Sequence, residues 1–406
     1  MSETELKLGN LFTPEYIANP YPTYKIIREA NPVFNMPDTD VWGTTRYEDC
    51  AQVLRSKSFG QDTDQRMRKD YGDNYLDQAV YASLSHMMLL ADPPDHTRLR
   101  KLVVRAFDAR NIESLRTRFR AIAASLVDKM IAEESGQGNL LQLFAHQLPV
   151  IVICEMLGIP EEDQVRFIEH RENAGRILDP TPIAPDELVG INKNVLADNA
   201  FFEALCDQRR KNPQDDLLTM LVQSETEDGK LSREELTANI FLLFGAGHET
   251  TVNLIGNGLL ALYRNRDQLE KLRNNLDLMP NAIEELLRYD SSVQLTGRTA
   301  LEDTEISGHK VPKGSSVITL VGAANRDPEK FEDPDTLNIE RQKIRPMSFG
   351  GGIHMCLGAQ LARIEAAEAF KELFTRLPDL ELTNIENPNW RQTITLRGLV
   401  DLPATW

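Results

Sequence analysis

Residues Phe349–Gly358 read FGGGIHMCLG, and this segment gives the most specific indication of the fold. Its three consecutive glycines allow the backbone to approach a flat or bulky group closely, because glycine has no side chain. Cys356 then stands just before a helical pattern that reaches about Leu377. Free N–H groups and the dipole at the start of a helix favour a thiolate. A buried structural cysteine beside a flexible turn is the alternative, and the loop alone does not exclude it.

A long helical pattern runs from about Ser232 to Arg264, and Ser232 with Glu235 forms a capping box at its start. The sequence AGHETT occupies residues 246–251 in its middle, although glycine and threonine are unfavourable inside a helix. A threonine hydroxyl there can bond the carbonyl four residues back and loosen the helix locally. The pattern therefore predicts either a functional opening in the helix or a kink with no chemical role.

Two charged patterns have helical spacing. Glu285 and Arg288 are three residues apart on a helix predicted over Met279–Tyr289, so they share a face and can pair. His96 and Arg100 are four residues apart on a basic helix that follows a proline-rich turn. Solvated ion pairs and solvated basic helices are common and contribute little to stability. Alone, neither pattern predicts a function.

In combination, these stretches resemble the bacterial cytochromes P-450, from about Asn19 to the C-terminus. Residues 349–358 fill every fixed position of the family's Phe-x-x-Gly-x-His-x-Cys-x-Gly pattern, and the other motifs follow in the family's order. The resemblance implies a mainly α fold with a minor β region, in one domain over residues 1–406. It also implies haem b (iron protoporphyrin IX) held between the long central helix and the cysteine loop, with Cys356 as the iron ligand.

The resemblance assigns further roles residue by residue. Glu249 and Thr250 would be the acid and the alcohol that guide protons to dioxygen. Glu285 and Arg288, with Arg341 as a second arginine, would form a buried ion pair that holds the haem loop in register. The residues implied in haem binding, including the basic partners of the propionates, are His96, Arg100, Ala246, Arg298, Phe349, Gly350, His354, Cys356 and Gly358.

The implied activity is that of a monooxygenase, which inserts one oxygen atom from O2 into a small apolar or amphiphilic compound by hydroxylation or epoxidation. Electrons would come from NAD(P)H through a ferredoxin and its reductase, because the chain has no flavin or nicotinamide fingerprint. An acidic ferredoxin would dock on a basic face beneath the cysteine, formed by Lys101, Arg105, Lys343 and Arg345. The substrate pocket is expected to combine residues 60–90 with the side chains of Asn239, Leu242, Leu243, Val293, Gln294, Thr296 and Ile394.

Two other functions stay open at this level. A peroxide-driven peroxygenase on the same fold would use the same cysteine, but such enzymes typically replace the acid and the threonine found here at positions 249 and 250. A non-enzymatic haem gas sensor would explain Cys356 and would leave Glu249 and Thr250 without a purpose.

Composition and net charge indicate which partners and which cellular location to expect. The 406 residues carry a net charge of -17, which disfavours binding to nucleic acid and to anionic membranes. Apolar runs are far shorter than the roughly 18 residues of a spanning helix, and the first residues lack the pattern of a signal peptide. The other cysteines, Cys50, Cys154 and Cys206, form no CxxC pair and are expected in the core. We therefore expect a cytoplasmic monomer.

The remaining segments give weaker signals. Val41–Thr45, Val317–Leu320 and Gln392–Leu396 have the β-branched and aromatic character of strands. Residues 60–85 are polar and charged, which predicts a long surface loop with short helical pieces.

Overall fold

The structure is a computed structural model that describes residues 13–37, 39–164, 183–226 and 229–406. The side chains at 105, 106, 109, 110, 225 and 226 lie outside this description. Helices account for most of the described chain, as the sequence predicts. The α-helices are α1 (Pro14–Ala18), α2 (Tyr21–Ala30), α3 (Tyr47–Arg55), α4 (Thr63–Tyr71), α5 (Ala79–Ser85), α6 (Asp95–Val103), α7 (Ala109–Ser114), α8 (Arg116–Ala132), α9 (Gln147–Leu157), α10 (Pro185–Lys211), α11 (Leu217–Gln223), α12 (Arg233–Arg264), α13 (Arg266–Asn274), α14 (Met279–Tyr289), α15 (Val321–Ala324) and α16 (Ala359–Arg376).

The strands are short and form small sheets. They are β1 (Val33–Asn35), β2 (Val41–Thr44), β3 (Phe59–Gly60), β4 (Gln137–Asn139), β5 (Glu225–Thr226), β6 (Gly229–Lys230), β7 (Thr296–Ala300), β8 (Thr304–Ile306), β9 (His309–Val311), β10 (Ser316–Thr319), β11 (Glu381–Leu382) and β12 (Pro403–Thr405). The largest sheet has five strands in the order β1-β2-β10-β7-β3, with β2 and β10 parallel. A second sheet has the order β11-β12-β4.

Residue contacts divide the chain into two compact units, and one of the boundaries between them falls inside helix α12, between His248 and Glu249. The first unit contains the described residues up to Gly60, together with Leu115–Pro149 and Glu249–Trp406. The second contains Gln61–Ser114 and Val150–His248. The organisation of residues 1–406 as a single domain stays a prediction.

In the first unit, the second half of α12 packs against α14 and α16. An added Cβ at Gly258 would lie 3.0 Å from the ring of Phe370 and 3.2 Å from Leu286, so glycine allows this close approach. Helix α8 packs along α16, and the two are joined by a carboxylate that is buried between them. Glu368 accepts hydrogen bonds from Arg116 at 2.7 Å and from Arg120 at 2.8 Å.

In the second unit, helix α10 packs against α5 and α11. Arg209, at the end of α10, donates to Asp216 at 2.5 Å and to the carbonyl of Gly158 at 2.7 Å. The first half of α12 begins with the predicted capping box. The Ser232 N–H donates to the Glu235 carboxylate at 2.8 Å, and the Glu235 N–H donates to the Ser232 hydroxyl at 3.1 Å.

Most predicted elements are confirmed to within two residues, including α14, α16, β2 and β10. The basic helix predicted after the proline-rich turn is α6, and a 3-10 turn at Val104–Phe107 follows it. Residues 60–85 contain more helix than predicted, since α4 and α5 cover most of them. The predicted strand at Gln392–Leu396 is wrong. The Thr393 hydroxyl donates to the Leu396 carbonyl at 2.6 Å and closes a turn there.

None of the described helices combines the length and the apolar character needed to cross a membrane.

Candidate active site

The loop that contains Cys356, residues 349–358, is called the cysteine loop and belongs to the first unit. It is built from tight turns. The Gly350 N–H donates to the Met347 carbonyl at 2.7 Å, and the Cys356 N–H donates to the Phe349 carbonyl at 2.9 Å. Gly350 and Gly352 have φ angles of +69° and +66°, a region that other residues rarely adopt. At Gly352 an added Cβ would stand 2.1 Å from the carbonyl oxygen of Leu54. The loop therefore requires glycine at position 352 for two separate reasons.

The four cysteines differ sharply in environment. Cys356 is exposed and lies two residues before Gly358, the N-cap residue of helix α16. Cys50, Cys154 and Cys206 are buried, and burial raises the pKa of each thiol to about 12. These three cysteines are in the core, as predicted, and stay protonated at neutral pH. Cys356 is the cysteine whose sulfur a ligand can reach.

Side chains from neighbouring helices hold the cysteine loop in place. The Arg363 guanidinium lies 4.5 Å from the centre of the Phe349 ring and forms an ion pair with Glu284 of α14. The Ser348 hydroxyl donates to the Leu287 carbonyl of α14 at 2.6 Å. The loop is thus attached to both α14 and α16.

Glu285 lies between two arginines. Arg288 donates to its two carboxylate oxygens, each at 2.8 Å, and both side chains are completely buried. Arg341 donates to the same carboxylate at 3.1 Å. Burial lowers the pKa of the Arg288 guanidinium, and the pairing with Glu285 opposes that shift. Arg288 also binds the carbonyls of Asn325, Pro334 and Thr336, so it ties α14 to the segment that leads to the cysteine loop.

Glu249 and Thr250 lie at the start of the part of α12 that belongs to the first unit. The helix runs without interruption through this stretch. Outside groups bind the pair: Arg391 donates to the Glu249 carboxylate at 2.6 Å, and the Ser292 hydroxyl donates to the Thr250 carbonyl at 2.9 Å. The carboxylate of Glu249 is 8% exposed, so it is a buried acid with a cationic partner.

Helix α12 also has an open position in the second unit, one turn before the acid. Ala246 is exposed, although Leu242 and Leu243 are buried on the same helix. An added Cβ at Gly247 would meet nothing within 4 Å. Helix α12 is therefore accessible at positions 246 and 247.

The predicted propionate partners are distributed over both units. In the first unit, Arg298 is buried on β7 and donates to the Gly297 carbonyl at 2.7 Å, while His354 is half-buried in the cysteine loop. In the second unit, His96 is buried and Arg100 is half-buried, both on α6. All four basic side chains are therefore partly or fully screened from bulk water.

The predicted pocket residues fall into two groups. Asn239 and Gln294 use their amides within the protein. Asn239 receives the Met88 N–H at 2.9 Å and donates to the His86 carbonyl at 3.0 Å, and Gln294 receives the Tyr24 hydroxyl at 3.0 Å. The other predicted pocket residues are buried or half-buried: Leu242, Leu243, Val293, Thr296 and Ile394.

Sequence reasoning missed Ser292 and Arg391. Each binds a residue of the acid–alcohol pair from a distant part of the chain, Ser292 from 42 positions away and Arg391 from 142. No local pattern distinguishes them. In the sequence, Ser292 is the second of two adjacent serines, and Arg391 stands in no motif that sets it apart from the other arginines.

The model of the family described as "Cytochrome P450" matches residues 55–377 of this chain. The polyketide biosynthesis cytochrome P-450 PksS of Bacillus subtilis is 39% identical over 399 residues, which cover 96% of each chain. The cytochrome P-450 monooxygenase PikC of Streptomyces venezuelae is 38% identical, over 99% of this chain and 94% of PikC. A crystal structure of P-450 BioI with an acyl carrier protein ligated to hexadec-9Z-enoic acid superposes with a TM-score of 0.89, at 35% identity, covering 97% of this chain and all of BioI.

The chain belongs to the cytochrome P-450 family. It is a haem-thiolate monooxygenase with the fold of that family, and its cofactor is haem b.

Proposed function

We propose that this chain hydroxylates or epoxidises a small apolar or amphiphilic compound, and that Cys356 would supply the thiolate that binds the haem iron. The state of the cysteines carries this assignment. Cys356 is exposed at the N-terminal end of α16, whereas the other three thiols are buried. A thiolate ligand needs an accessible sulfur in surroundings that favour its negative charge. The start of a helix supplies such surroundings.

Open space beside two glycines and a set of basic side chains also fit haem b. An added Cβ would meet nothing within 4 Å at Gly350, in the cysteine loop, or at Gly247, on α12. Two propionates need basic partners when they are buried. We assign that role to His96, Arg100, Arg298 and His354, which are buried or half-buried. Ala246, Phe349 and Gly358 complete the proposed haem-binding set.

When bound, the haem supplies the redox centre at which dioxygen is reduced. Glu249 and Thr250 then serve as the acid and the alcohol of proton delivery. The buried Glu249 carboxylate would take up protons and pass them on, and the Thr250 hydroxyl would relay them as a hydrogen-bond donor. One oxygen atom enters the substrate and the other leaves as water.

For the substrate, we propose a mid-sized and mostly apolar molecule. Leu242, Leu243 and Ile394 supply apolar side chains, and Asn239 and Gln294 shape the pocket through their bonds to the protein. Val293 and Thr296 complete the proposed lining. Two related proteins support this proposal. The structure of BioI contains an acyl carrier protein ligated to hexadec-9Z-enoic acid, whose chain is mostly apolar, and PksS is named for polyketide biosynthesis.

For the electrons, we propose NAD(P)H with a reductase and an acidic ferredoxin. Lys343 and Arg345 are exposed in the first unit and Lys101 is exposed in the second. The side chain of Arg105 lies outside the described residues. Docking through these cations should weaken as the salt concentration rises, because screening shortens the range of the attraction. Reduction rates that do not change with ionic strength would contradict this part of the proposal.

The deciding experiment is the spectrum of the reduced carbon monoxide complex. Cys356→Ser should lose the long-wavelength Soret band that a thiolate ligand produces, because a hydroxyl does not donate comparable charge to the iron. Cys206→Ala is the matched control, since it removes a buried thiol and should keep the band. A Cys356→Ser variant that retains the band would overturn the assignment.

Turnover separates this proposal from a peroxygenase. Product formed from NAD(P)H with a surrogate ferredoxin and reductase supports the monooxygenase, and product formed with added peroxide alone supports the other activity. The substrate for this assay comes from screening compounds for a change in haem spin state on binding.

A further inference from the structure

Helix α10, in the second unit, turns apolar side chains toward solvent. Val189 is 70% exposed and Leu196 is 59% exposed, the two highest values among the large apolar side chains of the described residues. They are seven residues apart, so they lie on one face of the helix, which we name the outer face of α10. Ala200 and Ala204 are also exposed on this face. A surface helix normally directs its apolar residues toward the core and exposes polar ones.

The opposite face of α10 already packs against the protein. Ile191, Val195 and Phe202 are buried there, and the helix packs against α5 and α11. The Val80 N–H of α5 donates to the amide oxygen of Asn192 at 3.0 Å. The apolar residues of the outer face are therefore additional to those that the core uses, and they stand on a helix whose position is fixed.

The outer face has the residue spacing of a helix that packs against another helix. Spacings of three and four residues in alternation mark the contact positions in such pairs. Lys193 and Arg210 are exposed and Glu203 is partly exposed, so a partner can reach these charges. In chain order the face reads Asp186, Val189, Lys193, Leu196, Ala200, Glu203, Asp207 and Arg210.

A second copy of α10 that runs antiparallel and is centred on residue 198 complements this pattern. Residues at equal distances on either side of the centre then face each other. Leu196 of one copy faces Ala200 of the other, where the small side chain leaves room for it. Lys193 faces Glu203, so opposite charges meet. Because the pair has two-fold symmetry, each contact occurs twice.

The ends of the outer face fit the same arrangement. Asp186 of one copy faces Arg210 of the other. Val189 faces Asp207, whose carboxylate already accepts hydrogen bonds from Arg210 at 2.6 Å and from Arg233 at 2.8 Å. A parallel pair would instead bring every charge opposite the same charge of the second copy. The distribution of charge along the helix therefore favours the antiparallel pair.

The size of the outer face indicates a transient dimer. Residues 186–210 span about 36 Å on a helix about 10 Å wide, so two copies would bury roughly 700 Å² in total. Stable interfaces bury at least about 1,200 Å². The net charge of -17 on each copy also opposes association. The dimer should therefore form at high protein concentration and at a salt concentration that screens this repulsion.

We propose that the outer face of α10 is the interface of a transient homodimer, in which Leu196 packs beside Ala200 of the second copy and Lys193 lies opposite its Glu203. This inference goes beyond the monooxygenase activity and does not depend on the roles proposed for the residues of the active site. A monomer is expected from the sequence, whereas the exposure and spacing of these residues indicate self-association.

The experiment is sedimentation velocity of the ferric holoenzyme at physiological salt, over a wide range of protein concentrations. The wild-type chain should show a reversible equilibrium between monomer and dimer. Leu196→Glu should raise the dissociation constant at least about tenfold, because it places a charge in the apolar centre of the interface. Ile131→Glu is the matched control. Ile131 is 50% exposed on α8, in the first unit, and its replacement should leave the dissociation constant unchanged.

An exchange of charges tests the antiparallel register. Lys193→Glu or Glu203→Lys alone should weaken association, because each variant brings like charges together in its own dimer. An equimolar mixture of the two variants should associate at least as well as the wild-type chain, since every such contact then joins opposite charges. Net charge alone gives a different result. Glu203→Lys makes the chain less negative, so it would strengthen association, and the mixture would fall between the two variants.

The variants change side chains that are at least partly exposed, so their haem content and circular dichroism should match those of the wild-type chain. The mixture of charge variants tests the interface even if Leu196→Glu is unstable. If the wild-type chain is monomeric at every concentration, or if the mixture associates no better than its components, the inference fails and the proposed function stands. Leu196-dependent binding to vesicles of phosphatidylcholine and phosphatidylglycerol, without self-association, would assign the outer face to a lipid surface and would also overturn the inference.

Discussion

The hydroxyl of Ser292 donates a hydrogen bond to the backbone carbonyl of Thr250 at 2.9 Å. The same residue accepts the Arg397 N–H on its own carbonyl at 2.7 Å. Ser292 therefore links Thr250 of helix α12 to the segment that contains Arg397. It fixes the backbone of Thr250 from outside the helix, which a purely helical hydrogen-bond pattern would not do.

Ser292→Ala should lower the free energy of unfolding by about 1 kcal/mol, the usual contribution of one hydrogen bond. Ser291→Ala is the matched control. Its hydroxyl is buried and has no hydrogen-bond partner among the described residues, so its removal should be neutral or stabilising. The measurement is urea unfolding of the holoenzyme. Equal losses for the two serines would contradict the contact.

Thr250→Ala should uncouple the reaction, because it removes the hydroxyl to which we assign a part in proton delivery. NAD(P)H consumption should continue while product falls and hydrogen peroxide rises. Thr250→Ser keeps the hydroxyl and should retain most of the coupling. An unchanged yield of product per NAD(P)H in Thr250→Ala would show that the threonine has no part in proton delivery.

Arg288→Met should lower the free energy of unfolding by about 3–5 kcal/mol, since it leaves the buried Glu285 carboxylate without its main partner. Unfolding and haem content report the effect together. Arg266→Gln breaks an exposed pair and should cost less than about 1 kcal/mol. Similar losses in both variants would mean that burial of the Glu285 pair has no energetic consequence.

Gly352→Ala should be much more damaging than Gly350→Ala. Both positions have positive φ angles, so alanine costs about 1–2 kcal/mol at either one. At Gly352 the methyl group would also collide with the backbone of Leu54, which cannot move as a flexible side chain would. Thermal unfolding and the content of bound haem measure the difference. Equal effects at the two positions would contradict the collision.

The buried Glu365 carboxyl should make the free energy of unfolding depend on pH. Burial raises the pKa of this carboxyl well above 4.5. Between pH 4.5 and the raised pKa of Glu365, the folded protein keeps a proton that the unfolded chain has released. The free energy of unfolding therefore falls as the pH rises through this range. Glu365→Gln cannot ionise, and its stability relative to the wild-type chain should increase between about pH 5 and pH 8. The check is urea unfolding at several pH values. A difference that is constant with pH would contradict the raised pKa.

The parts of the fold with local signals were predictable. The capping box at Ser232 marks the start of α12, and the glycines of the cysteine loop indicate the backbone angles that the structure has at Gly350 and Gly352. The spacing of Glu285 and Arg288 predicts that these two side chains pair. Its second arginine, Arg341, followed only from the family resemblance, because it lies 56 positions away.

The rest depends on contacts between distant segments. Ser292 and Arg391 contact Thr250 and Glu249 from segments 42 and 142 positions away along the chain. Thr393 carries the β-branched character of a strand, yet its hydroxyl closes a turn, which no local propensity indicates. Asn239 looks like a polar contact for a substrate in the sequence, but its amide satisfies backbone groups that the fold brings to it.

The turn formed by residues 390–399 is held at both of its ends. At its base, Asn253 lies against Gly398 and Asn257 donates to the Arg397 carbonyl at 3.0 Å. At its tip, Leu396 forms an antiparallel bridge with Val293, and the Gln294 N–H donates to the Thr395 carbonyl at 2.9 Å. Because the backbone is fixed on both sides, the side chain at position 394 can change, and with it the lining of the proposed pocket, while Arg391 stays beside Glu249.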